Sequence, residues 1–294
     1  MRIKYSRRST LAALCMALLL VFTCVTGYAE DSDHSGDRLE IHFIDVGMAD
    51  AILIRDFQDG SVSDMMIDTG DRSHTVAVTN YLIEQGVYEL EHLVLTHPHA
   101  DHIGGAIRIL NTFEVQDSLL APMEADTATY EKVMAKLKDK GVTLIYPQVG
   151  DVLTFGNAQL ELYAPAPVLY SSENDWSLVY MLTYADRRVL FTGDAEEDSE
   201  QDMLYDPTLD LHADVLKVGH HGSNTSTSYD FVAAVSPTYA VISCGVTSKK
   251  DYPDVEVGMN LMDAGCTDIL TTYVHGTIVL TITAYGNIFF TNEK

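Results

Sequence analysis

Short apolar runs alternate with turn residues along most of the chain. From Leu39 onward these runs have the length and the bounding residues that are typical of β-strands. The predicted strands are LEIHFIDVG, DAILIRDF, DMMIDTG, HLVLTH, VTLIYP, DVLTFG, AQLELYAP, LVYMLTYAD, RRVLFTGD, ADVLKVG, TYAVISCG, ILTTYV, TIVLTITA and NIFFTN. Three of them follow one another at the start of the pattern, and three more close the chain.

Helical patterns lie between these strands. The clearest is DTATYEKVMAKLKDK, residues 126–140, with Gly141 as its stop signal. The other predicted helices are residues 74–85, AIRILN after a pair of glycines, AEEDSEQDML, and segments near 228–235 and 254–264. Strands and helices interspersed in two similar halves predict a sheet-on-sheet core with helices outside. Since no proline-rich or serine-rich linker follows residue 38, we expect one domain over residues 38–294.

The first 29 residues have the pattern of a secretory signal peptide. Four basic residues precede an uncharged apolar run, Leu11 to Val25, and the small residues Gly27 and Ala29 suit a cleavage site. The run is short for a membrane span, which needs about 20 residues, although an uncleaved anchor is the alternative. We therefore expect a secreted, extracellular protein with no stable membrane partner. Residues 30–37 are polar and predicted to be a flexible segment before the domain.

The chain is strongly acidic. Its 43 Asp and Glu against 18 Lys and Arg give a formal net charge of −25 at pH 7. Proteins bind nucleic acid largely by neutralising phosphates with Lys and Arg, so this charge weighs against tight, non-specific DNA binding. It does not exclude a DNA substrate that is reached through metal ions.

Two cysteines, Cys244 and Cys266, lie outside the predicted signal. An exported protein can hold such a pair as a disulfide. Cys244 ends an apolar strand-like run, so a buried thiol is an equal alternative. Neither cysteine has the spacing of a metal motif.

The strongest chemical signal is the segment THPHADHIGG. His97 and His99 flank a proline directly after a predicted strand, and a spacing of two residues puts both imidazoles on one side of an extended backbone. Asp101 and His102 follow where the chain turns towards a helix. Three imidazoles and one carboxylate within six residues suit zinc, manganese or iron. We therefore expect a metal site at this turn.

Six segments resemble the metallo-β-lactamase-fold hydrolases, and more closely the soluble hydrolase-like domain of ComEC-type competence (DNA-uptake) proteins. They are FIDVGMADAILI, MMIDTG, LTHPHADHIGG, SSENDWSLVY, VLFTGDAEED and LKVGHHGSNTSTS, in the expected order over residues 43–228. The resemblance implies an α+β fold, an αββα sandwich of two mixed β-sheets with outer helices. It also implies one or two divalent metal ions, Zn or Mn, in a cleft between the sheets.

Motif matching also assigns ligands. The resemblance gives the first ion to His97 and His99, the second to Asp101, His102 and His220, and makes Asp194 the bridge between them. It implies a metal-bridging hydroxide as the nucleophile, with Asp101 among the catalytic residues. Judged by its position alone, Asp194 is an equally good N-cap for the helix that follows it.

Two adjacent histidines, His220 and His221, follow the predicted strand ADVLKVG. Neighbouring side chains on an extended backbone point opposite ways, so we expect only one of them to bind metal. We favour His220 as the ligand and His221 as the catalytic residue that donates a proton to the leaving group. Ser223 and Asn224 would offer donors to a substrate anion, although a serine-rich surface loop is the alternative.

Aspartates elsewhere are expected to support the site. Asp68, in MIDTG, is expected to orient a ligand histidine rather than to bind metal. Asp45 and Asp50 flank the Gly47 turn, which would edge the cleft. Ala49 stands where the related pattern usually carries a second glycine, which bears on the shape of this turn.

The chain departs from the family pattern at two positions. Many relatives place another ligand histidine before the bridging aspartate, whereas no histidine occurs between His102 and Asp194. The nearest substitutes are Asn174, Asp175 and Ser177. The first ion is therefore expected to be weakly held or water-rich, which favours manganese or a loosely bound zinc. Tyr252 stands where relatives tend to have histidine, and both Tyr252 and Asn174 are expected to contact substrate.

The leading hypothesis is a secreted phosphodiesterase or nuclease that acts on a phosphoester, with DNA as a substrate suggested by the resemblance alone. A second hypothesis is a phosphodiesterase for small or cell-wall esters such as phosphorylcholine, for which Trp176 could recognise the ammonium group. A third is a non-catalytic protein with a degenerate site that binds a metal or an anion. The sequence leaves the oligomeric state open.

Overall fold

The structure, a computed structural model, describes residues 36–245 and 252–294. The predicted signal peptide, residues 1–29, and most of the predicted flexible segment, residues 30–37, lie outside the described residues and stay predictions. Within the described ranges, no helix is long and apolar enough to cross a membrane.

Strands make up much of the described chain. In chain order they are β1 (Arg38–Phe43), β2 (Ala51–Gln58), β3 (Ser61–Thr69), β4 (Glu89–Leu95), β5 (Glu114–Leu120), β6 (Thr143–Ile145), β7 (Val152–Phe155), β8 (Ala158–Ala164), β9 (Val179–Tyr184), β10 (Arg187–Phe191), β11 (Val215–Lys217), β12 (Tyr239–Ile242), β13 (Asp268–Thr271), β14 (Ile278–Thr283) and β15 (Ile288–Asn292). They form two sheets, an eight-stranded one in the order β15-β14-β1-β2-β3-β4-β5-β6 and a seven-stranded one in the order β13-β12-β11-β10-β9-β8-β7.

Helices occupy the connections. They are α1 (Thr75–Glu84), α2 (Ala100–Ile103), α3 (Ala106–Thr112), α4 (Ala128–Lys140), α5 (Glu197–Tyr205), α6 (Tyr229–Val235), α7 (Val255–Asp263) and α8 (Thr272–His275), with 3-10 turns at Asn174–Trp176 and Gly219–Gly222. The helix predicted for residues 126–140 forms as α4. The Thr127 side chain accepts a hydrogen bond from the Tyr130 N–H at its start, and Gly141 ends it with a left-handed backbone.

One predicted strand is wrong in its second half. ILTTYV was predicted to be extended throughout, but β13 ends at Thr271 and α8 begins at the next residue. The Thr271 hydroxyl accepts a hydrogen bond from the Val274 N–H. This local cap provides the backbone with a helical alternative to the sheet, which outweighs the strand preference of the β-branched residues around it.

The sheets pack face to face over a single apolar layer. Phe43 and Tyr180 are fully buried between them, and the rings of Phe43 and Phe191 lie 6.4 Å apart. A second cluster lies between the eight-stranded sheet and α1–α4, and a third between the seven-stranded sheet and α5–α7. The layer order is therefore helix, sheet, sheet, helix, which confirms the predicted αββα sandwich.

Parallel strand pairs place the candidate residues at one edge of this sandwich. β3 and β4 run parallel in the first sheet, and β10 and β11 run parallel in the second. Asp68 lies at the end of β3, the histidine-rich turn follows β4, Asp194 follows β10, and the two adjacent histidines follow β11. Because the carboxyl ends of parallel strands meet at the same edge, these side chains converge.

Close packing of this edge requires glycine at one position. A Cβ added to Gly105 would overlap the Thr69 carbonyl oxygen at the end of β3. We expect Gly105→Ala to lower the free energy of unfolding by about 1–3 kcal/mol, the usual cost of overpacking, in urea denaturation. The matched control is Gly258 in α7, where an added Cβ meets nothing within 4 Å. Gly258→Ala should stabilise by about 0.5–1 kcal/mol, and equal effects of the two substitutions would contradict this account.

Candidate metal centre

Four residues from the two sheets meet at the first cluster of the centre. Asp101, His102, Asp194 and His221 each bring one nitrogen or oxygen atom within 4.8 Å of the others. His102 Nε2 lies 3.1 Å from Asp194 Oδ2, and His221 Nε2 lies 3.8 Å from the same oxygen. Asp101 Oδ2 is 3.6 Å from His221 Nε2. Asp101 is partly exposed and the other three are buried, so this cluster opens to solvent at Asp101.

The ring orientations leave the Nε2 lone pairs free to bind a cation. His102 Nδ1 lies 2.7 Å from Asp68 Oδ2, and His221 Nδ1 lies 3.0 Å from the Ser243 carbonyl oxygen. Both oxygens accept, so each Nδ1 donates a proton to its oxygen and each Nε2 faces the cluster, where it can offer a lone pair to a cation in place of a second proton. Asp68 thus has the position expected of a carboxylate that orients a ligand histidine.

Unpartnered atoms test whether a metal fits here. His102 Nε2, His221 Nε2 and Asp194 Oδ1 are buried without a well-aligned hydrogen bond, although His102 Nε2 lies 3.1 Å from Asp194 Oδ2. Buried polar atoms nearly always have one, so three such atoms in one cluster need an explanation. A divalent cation would satisfy all of them. Two imidazole nitrogens and two carboxylates are a donor set that suits zinc or manganese.

A second, smaller cluster shares Asp194. His97, His99 and Asp194 bring ligand atoms within 4.8 Å of one another. His97 Nε2 lies 3.0 Å from His99 Nδ1 and 3.7 Å from Asp194 Oδ2. His99 Nε2 lies 3.1 Å from a Glu173 carboxylate oxygen, and its side chain is 39% exposed. With three ligands and an open side, this cluster would hold an ion less tightly than the first.

The substitutes considered for the missing histidine have other contacts. Asp175 Oδ1 accepts hydrogen bonds from the Glu196 and Ser199 N–H groups at the start of α5. Asn174 Nδ2 donates to Glu196 Oε1 over 3.1 Å. The Ser177 hydroxyl lies 3.3 Å from His97 Nδ1 and accepts from the Asp194 N–H. Ser177 therefore contacts the candidate ligand His97 and orients its ring.

The positions of the two adjacent histidines, His220 and His221, are the reverse of those predicted from the sequence. The chain turns sharply at Gly219–Gly222, with left-handed φ angles of 45° at His220 and 57° at His221. The alternation that applies to strands does not hold in such a turn. His221, rather than His220, enters the ligand cluster. His220 lies at the edge of the two clusters, which we call the rim. Its Nε2 is 3.9 Å from Asp194 Oδ2, and its Nδ1 is 2.9 Å from Thr225 Oγ1 and 3.2 Å from Glu196 Oε1.

Predicted substrate-binding residues lie around this rim. The Tyr252 ring is 6.3 Å from the His220 ring. Asn224 is exposed, but its N–H donates to Asp254 Oδ2 over 2.9 Å. The Ser223 hydroxyl is buried and accepts from the Thr225 hydroxyl. Asn174 Oδ1 is buried without a partner, so among these four residues it has the clearest capacity for a further contact.

Opposing effects set the charge of the centre. Burial alone would raise the pKa of Asp194, but the neighbouring His102 and His221 hold the pKa of this carboxyl well below its usual range. Burial lowers the pKa of His97 well below its ordinary value. Burial also opposes the charging of His102, yet Asp194 and Asp68 raise the pKa of His102. The centre therefore combines an ionised shared carboxylate with a neutral imidazole at His97.

Sequence reasoning missed the buried cation beside this centre. Lys217 is fully buried, and its Nζ lies 2.7 Å from Asp50 Oδ2. The sequence feature that could have indicated it is the apolar run VLKV, in which Lys217 is the one charged residue. Both cysteines left open by the sequence, Cys244 and Cys266, are buried free thiols.

More than half of the chain matches a known protein family. The Metallo-beta-lactamase superfamily matches residues 44–246, and the chain belongs to that superfamily of metal-dependent hydrolases. The likeness to solved structures agrees with this fold. The metallo-beta-lactamase fold protein YhfI from Bacillus subtilis has a TM-score of 0.50 at 14% identity, over 85% of this chain and 99% of that one. CmlA, a diiron beta-hydroxylase from Streptomyces venezuelae, has a TM-score of 0.50 at 14% identity, over 84% of this chain and 54% of that one.

Curated relatives narrow the comparison to competence and recombination proteins. ComE operon protein 3 of Bacillus subtilis is 29% identical over 280 residues, 90% of this chain and 34% of that protein. Recombination protein 2 of Haemophilus influenzae is 30% identical over 74% of this chain and 26% of that protein. Competence protein ComA of Neisseria gonorrhoeae is 26% identical over 73% of this chain and 28% of that protein. The chain spans about a third or less of the length of each of these relatives. The predicted resemblance to ComEC-type competence proteins is confirmed.

Glu200 is a buried carboxylate close to the turn that carries His220 and His221, and it gives a pH-dependent prediction. Glu200 in α5 accepts hydrogen bonds from the Thr227 and Ser228 N–H groups, and burial raises the pKa of Glu200 to about 7. The native state therefore binds this proton more tightly than the unfolded chain, whose Glu pKa is about 4.3. The resulting stability is complete below that value and is lost as the pH rises through about 7.

We expect Glu200→Gln to remove this dependence. Between pH 5 and pH 8, the wild type should lose roughly 2–3 kcal/mol more unfolding free energy than the variant, since each pKa unit is worth about 1.4 kcal/mol. Urea denaturation in the presence of a chelator measures it. The exposed Glu256 in α7 supplies the control, Glu256→Gln, which should keep the wild-type profile. Parallel profiles for the wild type and Glu200→Gln would show that the account of Glu200 is wrong.

Proposed function

We propose that this protein is a phosphodiesterase that uses two divalent metal ions and hydrolyses DNA. The observation that carries the proposal is the convergence of unpartnered buried atoms, His102 Nε2, His221 Nε2 and Asp194 Oδ1, from two sheets at one point. DNA as the substrate is supported by the names of the relatives, two of which are called competence and recombination proteins.

The residues that would hold the ions follow from the two clusters. His97 and His99 would bind one ion, Asp101, His102 and His221 would bind the other, and Asp194 would be shared. In this assignment His221 takes the ligand role that motif matching predicted for His220. When bound, two such ions would lower the pKa of a shared water towards neutrality and stabilise charge on a phosphoryl oxygen.

The protein's own side chains would orient the site and move a proton. Asp68 and the Ser243 carbonyl fix the rings of His102 and His221, so that their lone pairs need no rearrangement. His220 is 20% exposed and is held through Nδ1 by Glu196 and Thr225. This arrangement leaves its Nε2 near Asp194 and open to the cleft, where it would donate a proton to the leaving group.

A small ester remains the second candidate substrate because of one aromatic pair. Tyr170 and Trp176 lie edge to face with ring centroids 5.5 Å apart, and Trp176 belongs to the same turn as Asn174 and Asp175. Aromatic faces can bind a quaternary ammonium group such as that of phosphorylcholine. The third possibility, a degenerate site that binds metal without catalysis, predicts metal uptake with no turnover.

Export is also part of the proposal. Cleavage after Ala29 would release a chain that begins at Glu30. Intact-mass analysis of protein recovered from the culture medium of an expressing bacterium tests this, and a membrane-bound form that retains Met1 would contradict it.

The metal assignment predicts a difference between the adjacent histidines. His221→Ala should lose about one equivalent of metal or bind it at least tenfold more weakly, because it removes a ligand. His220→Ala should retain the wild-type metal content. Elemental analysis after reloading with Zn²⁺ or Mn²⁺ measures both, and His97→Ala/His99→Ala serves as the positive control for metal loss. The opposite pattern would return the ligand role to His220.

The proton-donor role predicts a dependence on the leaving group. His220→Ala should lower the rate on plasmid DNA by about a hundredfold or more, the usual scale for general acid catalysis. The loss should be much smaller on bis-p-nitrophenyl phosphate, because p-nitrophenolate leaves without protonation. Turnover of both, and of p-nitrophenyl phosphorylcholine, should be compared with Mn²⁺, Zn²⁺ and chelator. Equal losses on all substrates would exclude the proton-donor role. Faster turnover of p-nitrophenyl phosphorylcholine than of DNA would indicate that a small ester, rather than DNA, is the substrate.

A further inference from the structure

Lys217 is a fully buried cation beneath the candidate metal centre. It is the last residue of β11 and has no exposed surface. Its Nζ pairs with Asp50 Oδ2 at 2.7 Å and donates to the Val218 carbonyl oxygen at 3.0 Å. Lysine is almost never buried in this way unless it is paired, so Asp50 determines where the ammonium group can lie.

Asp50 also connects the segment that carries the candidate ligand Asp101 with the segment that carries Asp68, the carboxylate that orients His102. Its N–H donates to the Asp101 carbonyl oxygen over 3.2 Å, and its own carbonyl oxygen accepts from the Gly70 N–H over 2.7 Å. The carboxylate lies close to the ligand rings as well, since its Oδ1 is 3.7 Å from His221 Nδ1. Ligand atoms of Asp50, Asp68 and His102 all lie within 4.8 Å of one another.

The ion pair joins the two sheets where their ligands meet. Asp50 directly precedes β2 of the eight-stranded sheet, and Lys217 ends β11 of the seven-stranded sheet. Asp101 and His102 come from the first of these sheets, and His221, four residues beyond Lys217, comes from the second. A change in the separation of Lys217 and Asp50 would therefore change the separation of the ligands.

We propose that Lys217 is a positioning residue of the metal centre: through Asp50 it sets the distance between the ligands supplied by the two sheets. This inference rests on the proposed function, because it assumes that the cluster of Asp101, His102, Asp194 and His221 holds an ion.

Stability alone gives a poor reason for such a pair. The desolvation of two buried charges offsets most of their attraction, and uncharged residues of similar shape often serve equally well. A positioning role gives a different reason, because small displacements of ligands and their supports commonly reduce metal affinity tenfold to a hundredfold.

The test removes both charges and keeps the shapes. Lys217→Met alone would leave a buried carboxylate unpaired, so Lys217→Met/Asp50→Asn is the variant of choice. The matched control is Arg55→Met/Asp64→Asn, which removes another buried ion pair, with Arg55 Nε 2.7 Å from Asp64 Oδ1. Folding is checked by circular dichroism and thermal unfolding in chelator. Zn²⁺ affinity is measured by chelator competition, and ligand geometry by the visible absorption of the Co²⁺-loaded protein.

We expect the Lys217→Met/Asp50→Asn protein to fold, to bind one Zn²⁺ at least about tenfold more weakly than the wild type, and to have a changed Co²⁺ spectrum. The control should keep wild-type affinity and spectrum. Should the double variant not fold, Lys217→Arg supports the same comparison, because it keeps both charges paired but changes the separation of the two elements that the pair joins. Its expected change has the same direction.

The outcomes separate the two proposals. A folded variant with wild-type affinity and spectrum would overturn the positioning role and leave the proposed function intact. An equal loss in the control would overturn it too, since the effect would then follow from any lost ion pair. A wild-type protein that binds neither Zn²⁺ nor Mn²⁺ would instead overturn the proposed function.

Discussion

The burial of one carboxylate, Asp194, is the constraint around which the candidate site is arranged. Its side chain is 1% exposed, and imidazole nitrogens of four histidines lie within 3.9 Å of its Oδ2: His97, His102, His220 and His221. An ionised carboxylate away from water is costly unless cationic or hydrogen-bonding groups surround it. Within residues 36–245 and 252–294, the groups that form ion pairs with Asp194 are these imidazoles and not arginine or lysine.

This arrangement requires the two facing sheets to present the carboxyl ends of their parallel strands at the same edge of the sandwich. Neither sheet carries a complete set of ligands, since the histidine-rich turn belongs to the first and Asp194 and His221 belong to the second. The apolar layer around Phe43, Tyr180 and Phe191 fixes the sheets face to face. Hydrogen bonds at the edge, such as that from the Leu178 N–H to the Thr96 carbonyl oxygen, hold the two sets of loops together. The packing of the core therefore also determines how the ligands from the two sheets are placed relative to each other.

The strong negative charge of the chain gives the ions a further importance. A phosphodiester would approach a protein with a formal net charge of −25, and the candidate ligands include two carboxylates. Without cations such a cleft repels its proposed substrate. Two divalent ions would reverse the local sign, so that under the proposed function both substrate binding and hydrolysis would depend on metal occupancy.

Patterns along the chain were sufficient to predict the features that are local or repeated. The strand and helix pattern predicted a sheet-on-sheet core with helices outside, because alternation and caps act within a few residues. It missed β5, whose sequence EVQDSLL is polar in its first half, and the predicted strand ILTTYV ends early at a threonine cap. The histidine-rich turn was recognisable because its four candidate ligands lie within six residues. The folded chain was needed to establish the parts that depend on backbone turns and on distant neighbours. His221 enters the cluster because residues 220 and 221 are left-handed, Ser177 stands behind His97 instead of replacing a ligand, and Lys217 pairs with Asp50 across the two sheets. No spacing rule along the chain contains these contacts, since each joins segments that only the packing of one sheet on the other brings together.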